Sequence, residues 1–259
     1  MNEFTELRKI VNNLIARVSS ITGIKNDNLL RFAIAEILVY IDFLEIIFLR
    51  YKELIKLSHE NHQKQQNLVQ GKSGSWTMTP EQINLFEEGR KLYSHIRLEI
   101  EAFYLFAHVL LTKATNFPKR YFSHTYIREI KCGSHKKFWK GVCKSQYFKP
   151  IPGTLNADIN WFNEKVVQYR DKIITHTLKA EHDERMLIKG FSWGPDGSFK
   201  MSSSVLYPTE ENSKQVDSEK LEDIVIKLQS YFESYISFLL KHIDKSILPH
   251  KSNADDLKL

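Results

Sequence analysis

The hydrophobic positions of this chain recur with the period of an α-helix over most of its length. A first helix is predicted from Phe4, Leu7, Val11, Leu14, Ile15 and Val18. A second covers residues 29–57, with a polar extension toward residue 70, and a break follows at residues 71–75. Thr79-Pro80-Glu81-Gln82 then supplies an N-cap, a proline at the first helical position and a glutamine three residues after the cap. It predicts a third long helix reaching Thr115.

Residues 156–179 predict an amphipathic helix with Asn156 as its N-cap and Asp158 in its first turn. Its apolar positions alternate steps of three and four, at Ile159, Phe162, Val166, Tyr169 and Ile173. The next member of that series is His176. We therefore expect His176 on the stripe that packs against another helix.

The period then changes from that of a helix to that of a strand. Residues 186–193 and 199–207 are separated by Gly194-Pro195-Asp196-Gly197, a sequence suited to a type I turn, and together they predict a β-hairpin. A last helix is predicted from a cap near Asp217 or Ser218 to about residue 247. Residues 249–259 are polar, and we expect them to form a flexible tail.

These elements predict a mainly α fold, an antiparallel bundle of long helices with an irregular basic insertion at residues 116–155 and one β-hairpin at residues 185–207. We expect residues 1–248 to be a single domain. The two cysteines predict a reducing cytoplasm, and we expect no secretory signal from the N-terminal residues. The most hydrophobic stretch, residues 33–49, carries three carboxylates, which favours a buried helix over a membrane span, so we expect no membrane partner.

The insertion is strongly basic. Between residues 116 and 153, nine Lys or Arg face one acid, a net +8 against +6 for the whole chain. Eight aromatic residues are interleaved with them. Cations bind phosphate and aromatic faces stack on unpaired bases, so this segment predicts an RNA surface formed by Lys119, Arg120, Arg128, Lys136, Lys137, Lys140 and Trp139. The alternative is that the lysines are a solvated surface and the aromatics anchor the segment to the core.

The candidate catalytic residues are Arg170, Asp171 and His176. This spacing of an Arg, a polar residue and a His resembles the signature of the HEPN superfamily, the higher eukaryotes and prokaryotes nucleotide-binding domain. The resemblance implies a metal-independent endoribonuclease whose site is made by two motif copies across a homodimer. His176 would transfer protons, Arg170 would bind the phosphate, and Asp171 would orient Arg170 or the partner's His176.

Three hypotheses follow. The first is a dimeric HEPN-type ribonuclease of the toxin or phage-defence type, with a cognate regulator. The second is a HEPN-like module that binds RNA or nucleotide without cutting it, and the third is a helical protein-interaction module. In the last two, Arg170 and Asp171 form a surface ion pair and His176 packs on the helical seam. We expect neither metal nor cofactor, because His124, Cys132, His135 and Cys143 match no standard zinc spacing and no Gly-rich phosphate loop occurs.

Overall fold

The computed structural model describes residues 3–22, 28–69, 77–116, 118, 130, 134–171, 186–193, 199–206 and 214–243. Within them the chain is mainly helical, which confirms the predicted fold class. In chain order the elements are α1 (Glu3–Thr22), α2 (Asn28–Val69), α3 (Pro80–Ala114), α4 (His135–Lys144), α5 (Gly153–Phe162), a π-helical turn (Asn163–Val167), β1 (Met186–Trp193), β2 (Phe199–Leu206), β3 (Lys214–Asp217) and α6 (Leu221–Lys241). No helix in this described part is long and apolar enough to span a membrane.

The start of α3 has the capping box that the sequence predicts. The Thr79 amide donates to Gln82 Oε1 at 2.9 Å, and the Gln82 amide donates to Thr79 Oγ1 at 3.3 Å. Each side chain thus satisfies a backbone donor that the first turn of a helix leaves without a partner.

The chain divides into two compact units. The first contains Met1–Phe43, Phe106–Gln168 and Glu222–Leu259, and the second contains Leu44–Leu105 and Tyr169–Leu221. The single domain over residues 1–248 and the antiparallel bundle stay predictions. The predicted tail, residues 249–259, lies outside the described residues.

The core of the first unit is built from apolar stripes on α1 and α6. Phe4, Leu7, Val11, Leu14 and Val18 of α1 are all buried, as their spacing predicts. From α6, the core receives Leu228, Tyr231, Phe232, Tyr235 and Phe238. The buried hydroxyl of Tyr235 donates to the carbonyl oxygen of Ala114 at 2.7 Å. This bond satisfies a phenol that would otherwise be costly to bury, and it joins α6 to the end of α3.

In the second unit, α2 and α3 approach each other closely at Gly89. The side-chain amides of Asn61 and Gln65 both donate to the Leu85 carbonyl, at 3.2 and 3.3 Å. A Cβ on Gly89 would lie 2.5 Å from Gln65 Nε2 and 2.7 Å from Asn61 Oδ1. A Cβ at position 89 would therefore have to displace the side-chain amides of Asn61 and Gln65.

The strands lie in the second unit. β1 and β2 pair antiparallel from Met186 opposite Leu206 to Trp193 opposite Phe199, and β3 pairs antiparallel with the other edge of β2. The turn proposed at Gly194 to Gly197 lies outside the described residues, so the hairpin as such stays a prediction. The sequence did not predict β3, and α6 begins at Leu221, a few residues after the expected cap.

We predict that Gly89→Ala destabilises the protein although alanine favours helix by about 1 kcal/mol. The added methyl breaks two amide–carbonyl hydrogen bonds, each contributing about 1 kcal/mol, and strains the contact. In an Asn61→Ala/Gln65→Ala background the same change should become stabilising. Urea unfolding of the four proteins tests this. A stabilising Gly89→Ala in the wild-type background would contradict it.

Candidate nucleic-acid interface

The predicted irregular insertion contains a regular helix, α4. Ser134 is its N-cap, with extended backbone (φ −157°, ψ 153°) and a hydroxyl that accepts from the Lys137 amide at 3.3 Å. The buried residues of α4 have the spacing of one side of a helix. They are His135, Phe138, Trp139 and Val142. The expectation of irregular backbone is therefore wrong for residues 135–144.

The opposite side of α4 is a cationic surface, the lysine face, formed by Lys136, Lys137, Lys140 and Lys144. All four side chains are exposed, and Lys149 is exposed in the segment that follows. Helix α4 contains no acid, and within the described part of the chain none of the four forms an ion pair. The face thus presents four positive charges to the solvent.

Trp139 lies in the core. It is 1% exposed, its indole nitrogen donates to the Tyr231 hydroxyl at 3.1 Å, and its ring contacts Tyr235 and Phe238 with centroids 5.6 and 5.7 Å away. Its faces are covered, so the base-stacking role expected for Trp139 does not fit this structure. Phe138 and Phe148 are also buried, whereas Tyr147 is 36% exposed. For Phe138, Trp139 and Phe148, anchoring to the core is the role that the structure supports.

Several candidate residues lie outside the described residues: Lys119, Arg120 and Arg128 of the RNA surface, and His176 of the motif. The same holds for His124 and Cys132 of the zinc spacing considered above. In the part that is described, no group of three or more His, Cys, Asp or Glu residues could hold a metal ion.

The N-cap of the helix that leads to the motif lies four residues before the predicted one. Pro152 is its N-cap, without a side-chain cap bond, and the Asn156 amide donates to the Pro152 carbonyl at 2.9 Å. Asn156 as N-cap is therefore wrong, because the φ of Pro152 already suits a helix start and Asn156 completes the first turn. Asp158 is buried, and its carboxylate accepts from Lys227 at 3.1 Å and from Ser230 at 2.8 Å. These contacts hold α5 against α6.

The predicted stripe of this helix is buried as far as the structure describes it. Ile159, Phe162, Val166 and Tyr169 are each at most 2% exposed. The α-helix ends at Phe162 and continues as the π-helical turn Asn163–Val167. Such π-helical turns are rare in proteins, and those that occur are often found at functional sites.

Arg170 and Asp171 form an ion pair, with Arg170 Nη2 2.9 Å from Asp171 Oδ1. The Arg170 side chain is 24% exposed and that of Asp171 is 46% exposed. The carboxylate thus holds a half-buried guanidinium at the surface of the second unit, whereas α4 belongs to the first.

Sequence reasoning missed Tyr104, which contacts Tyr169, the residue before Arg170 of the motif. Its ring stacks on that of Tyr169, with centroids 4.3 Å apart and planes inclined by 29°. Its hydroxyl accepts from the Glu219 amide at 2.7 Å. Burial and the nearby Tyr169 raise the pKa of Tyr104 well above its ordinary value, so the phenol stays neutral. A tyrosine in a long apolar helix gives no sequence signal for such a role.

His135, the first residue of α4, is completely buried. Its Nδ1 lies 3.3 Å from Oδ1 of Asn163, the first residue of the π-helical turn, and its ring packs against Tyr231 at 5.5 Å. Its Nε2 has no hydrogen-bond partner in the described portion of the chain. Burial lowers the pKa of His135 to about 3, with a smaller lowering from His108 and an opposing effect of the Asn163 hydrogen bond.

A groove of about 350 Å³ lies between α2 and α3 in the second unit. Glu60 and Glu88 line it together with Lys64 and Lys91. This mixture of charges does not favour a polyanion, so the lysine face is the better candidate for nucleic acid.

Comparisons of the chain with protein-family models, with the sequences of curated proteins and with solved structures give no match.

We predict that His135 makes the protein less stable as the pH falls from about 6.5 toward 3. Its pKa in the folded state is about 3, below the unfolded value, so the unfolded state binds the extra proton within this window. The histidine's contribution is about 1.4 kcal/mol per pH unit, with the full stability present above the window.

Urea unfolding of wild type and His135→Leu across this window measures the effect. Carboxylates titrate in both proteins, so the difference between the two pH profiles isolates the histidine. Parallel profiles would contradict a neutral, buried His135.

Proposed function

We propose that this protein binds single-stranded RNA through the lysine face of α4. The observation that carries the proposal is the exposure of Lys136, Lys137, Lys140 and Lys144 on one side of a helix whose other side is buried. Four cations on a rigid element face the solvent together. This arrangement suits the regularly spaced charges of a phosphate backbone.

Ordinary solvation of lysines is the alternative, and two features favour binding. Surface lysines commonly stand among acids, whereas α4 has none. The Ser134 cap and the buried Trp139 also fix the helix, so its lysines are displayed on an ordered backbone. A preorganised cationic surface loses less entropy when it binds an anion.

Phosphate contacts carry little sequence information, so we expect this face to bind RNA with weak sequence preference. Tyr147, partly exposed just beyond α4, is the described aromatic that best fits a stacking contact with an unpaired base.

Charge reversal of Lys136, Lys137 and Lys140 together should weaken binding of a single-stranded RNA. It should also lower the slope of log K against log salt by about 2, since each lost phosphate contact removes about 0.7. Fluorescence anisotropy over a salt series measures both. The matched control reverses three exposed lysines of the second unit, Lys56, Lys64 and Lys91. Equal losses in the two variants, or none in either, would contradict the assignment.

A second candidate function is metal-independent RNA cleavage by the Arg170, Asp171 and His176 motif, in a HEPN-like homodimer. What favours it is the partly buried guanidinium of Arg170, held by Asp171 beside a buried tyrosine stack. An arginine fixed in this way is preorganised to bind a phosphate. A toxin or phage-defence role with a cognate regulator belongs to the same proposal.

The chemistry would proceed by attack of a ribose 2′-oxygen on the adjacent phosphorus while the bond to the 5′-oxygen breaks. One proton leaves the 2′-hydroxyl and another is given to the departing 5′-oxygen, and His176 suits such transfers because its ordinary pKa is near neutrality. Arg170 would stabilise the extra negative charge on the phosphorane. The resemblance to the HEPN superfamily implies that the proposed site uses two copies of this motif across a dimer.

We predict that His176→Ala abolishes RNA cleavage in EDTA, because loss of a proton-transfer group lowers a rate by about 10² to 10⁴. We also predict that Arg170→Ala strongly reduces cleavage. Products ending in 2′,3′-cyclic phosphate identify the reaction, and His59→Ala on α2 is the control. Unchanged cleavage by a folded His176→Ala protein would show that the motif is structural. Binding without cleavage by the wild type would favour a non-catalytic RNA-binding module.

A further inference from the structure

We infer that Tyr104 is a positioning residue for Arg170, an inference that rests on the proposed cleavage function. Two interactions of Tyr104 in the second unit involve different segments of the chain. Its ring stacks on Tyr169, the residue immediately before Arg170, and its hydroxyl accepts from the backbone amide of Glu219.

The two contacted segments are far apart in sequence. Tyr169 precedes residues 172–185 and the three strands, and Glu219 lies between β3 and α6. One side chain on α3 therefore contacts two residues that lie fifty positions apart in the sequence. A contact that joins two segments distant in sequence lowers the conformational freedom of both. We therefore expect it to restrain Tyr169 and the adjoining Arg170.

Burial makes this clamp rigid. Tyr104 is 0% exposed and Tyr169 is 2% exposed, so neither ring can rotate into solvent without opening the core. The Cα of Arg170 directly follows that of Tyr169, and the Arg170–Asp171 ion pair fixes the guanidinium from the other direction. A loss of the stack would thus move the arginine, and small displacements of a positioned group are costly in rate.

Tyr104 and Tyr169 belong to the second unit and carry none of the positive charge of the lysine face, which belongs to the first. A positioning role therefore predicts a change in kcat with little change in RNA affinity. General unfolding would lower the yield of active protein and the thermal stability together.

The test compares Tyr104→Leu, Tyr104→Phe and a matched control, Phe103→Leu. Phe103 is the neighbouring residue on α3, is equally buried, and packs on Phe48 with centroids 6.3 Å apart. Tyr104→Phe keeps the stacked ring and removes only the hydroxyl. Hydrogen exchange of residues 167–171 and 214–220, steady-state RNA cleavage and RNA affinity are measured for each protein.

We expect Tyr104→Leu to speed exchange at residues 167–171 and to lower kcat by about 10- to 100-fold with KM and affinity little changed. Tyr104→Phe should speed exchange mainly at residues 214–220 and retain most of the cleavage. Phe103→Leu should leave exchange at residues 167–171 unchanged.

Unaltered exchange at residues 167–171 in Tyr104→Leu, or an equal effect of Phe103→Leu, would overturn the inference. If Tyr104→Leu does not fold, Tyr104→Phe provides the test. Faster exchange at residues 167–171 without faster exchange at residues 214–220 in that variant would also overturn the inference. Faster exchange in Tyr104→Leu together with a wild type that cleaves no RNA would overturn the cleavage proposal and the catalytic role of Tyr104, while leaving the clamp itself established.

Discussion

The packing of one side of α4 on α6 is the contact on which the candidate RNA surface depends. A helix of ten residues has too few turns to be stable alone in water, so tertiary contacts must hold it. Trp139 and Phe138 supply them, and the indole N–H of Trp139 finds its acceptor in the buried Tyr231 hydroxyl. With that side fixed in the core, the helical period places the lysines on the opposite side.

The same packing links α4 to the helix that leads to the motif. His135 at the start of α4 contacts Asn163 at the start of the π-helical turn, and both residues contribute to the first unit. Asp158, one helix earlier, is tied to Lys227 and Ser230 of α6. Buried polar groups need such partners, so these contacts select one arrangement of α4, α5 and α6 over alternatives with similar apolar burial.

Local sequence signals were sufficient for the long helices. The reciprocal cap of Thr79 and Gln82 and the apolar stripe of α1 are readable because each depends on residues within a turn or two of one another. The stripe from Ile159 to Tyr169 is readable for the same reason. The start of α5 was misplaced because Asn156 is a strong capping residue type, whereas the actual cap, Pro152, acts through its backbone alone.

The roles of residues that depend on partners distant in sequence could not be predicted from the sequence. An aromatic among lysines suits a stacking surface or a core anchor equally well, and the partner that decides the case for Trp139 is Tyr231, 92 residues away. The spacing of His135, Phe138, Trp139 and Val142 was a helical signal, but dense lysines and Gly141 obscured it. Tyr104 likewise acquires its role only from Tyr169 and Glu219, which are distant in sequence.

The central claim, that RNA binds the lysine face, is tested most directly by mapping where RNA touches the protein. Single-stranded RNA containing 4-thiouridine would be photo-crosslinked to the full chain, and the adducts located by mass spectrometry. The account predicts adducts concentrated in residues 135–149, including Tyr147, and their competition by unlabelled RNA. Adducts that are confined to other segments, for example to the α2–α3 groove around Lys64 and Lys91, would contradict it.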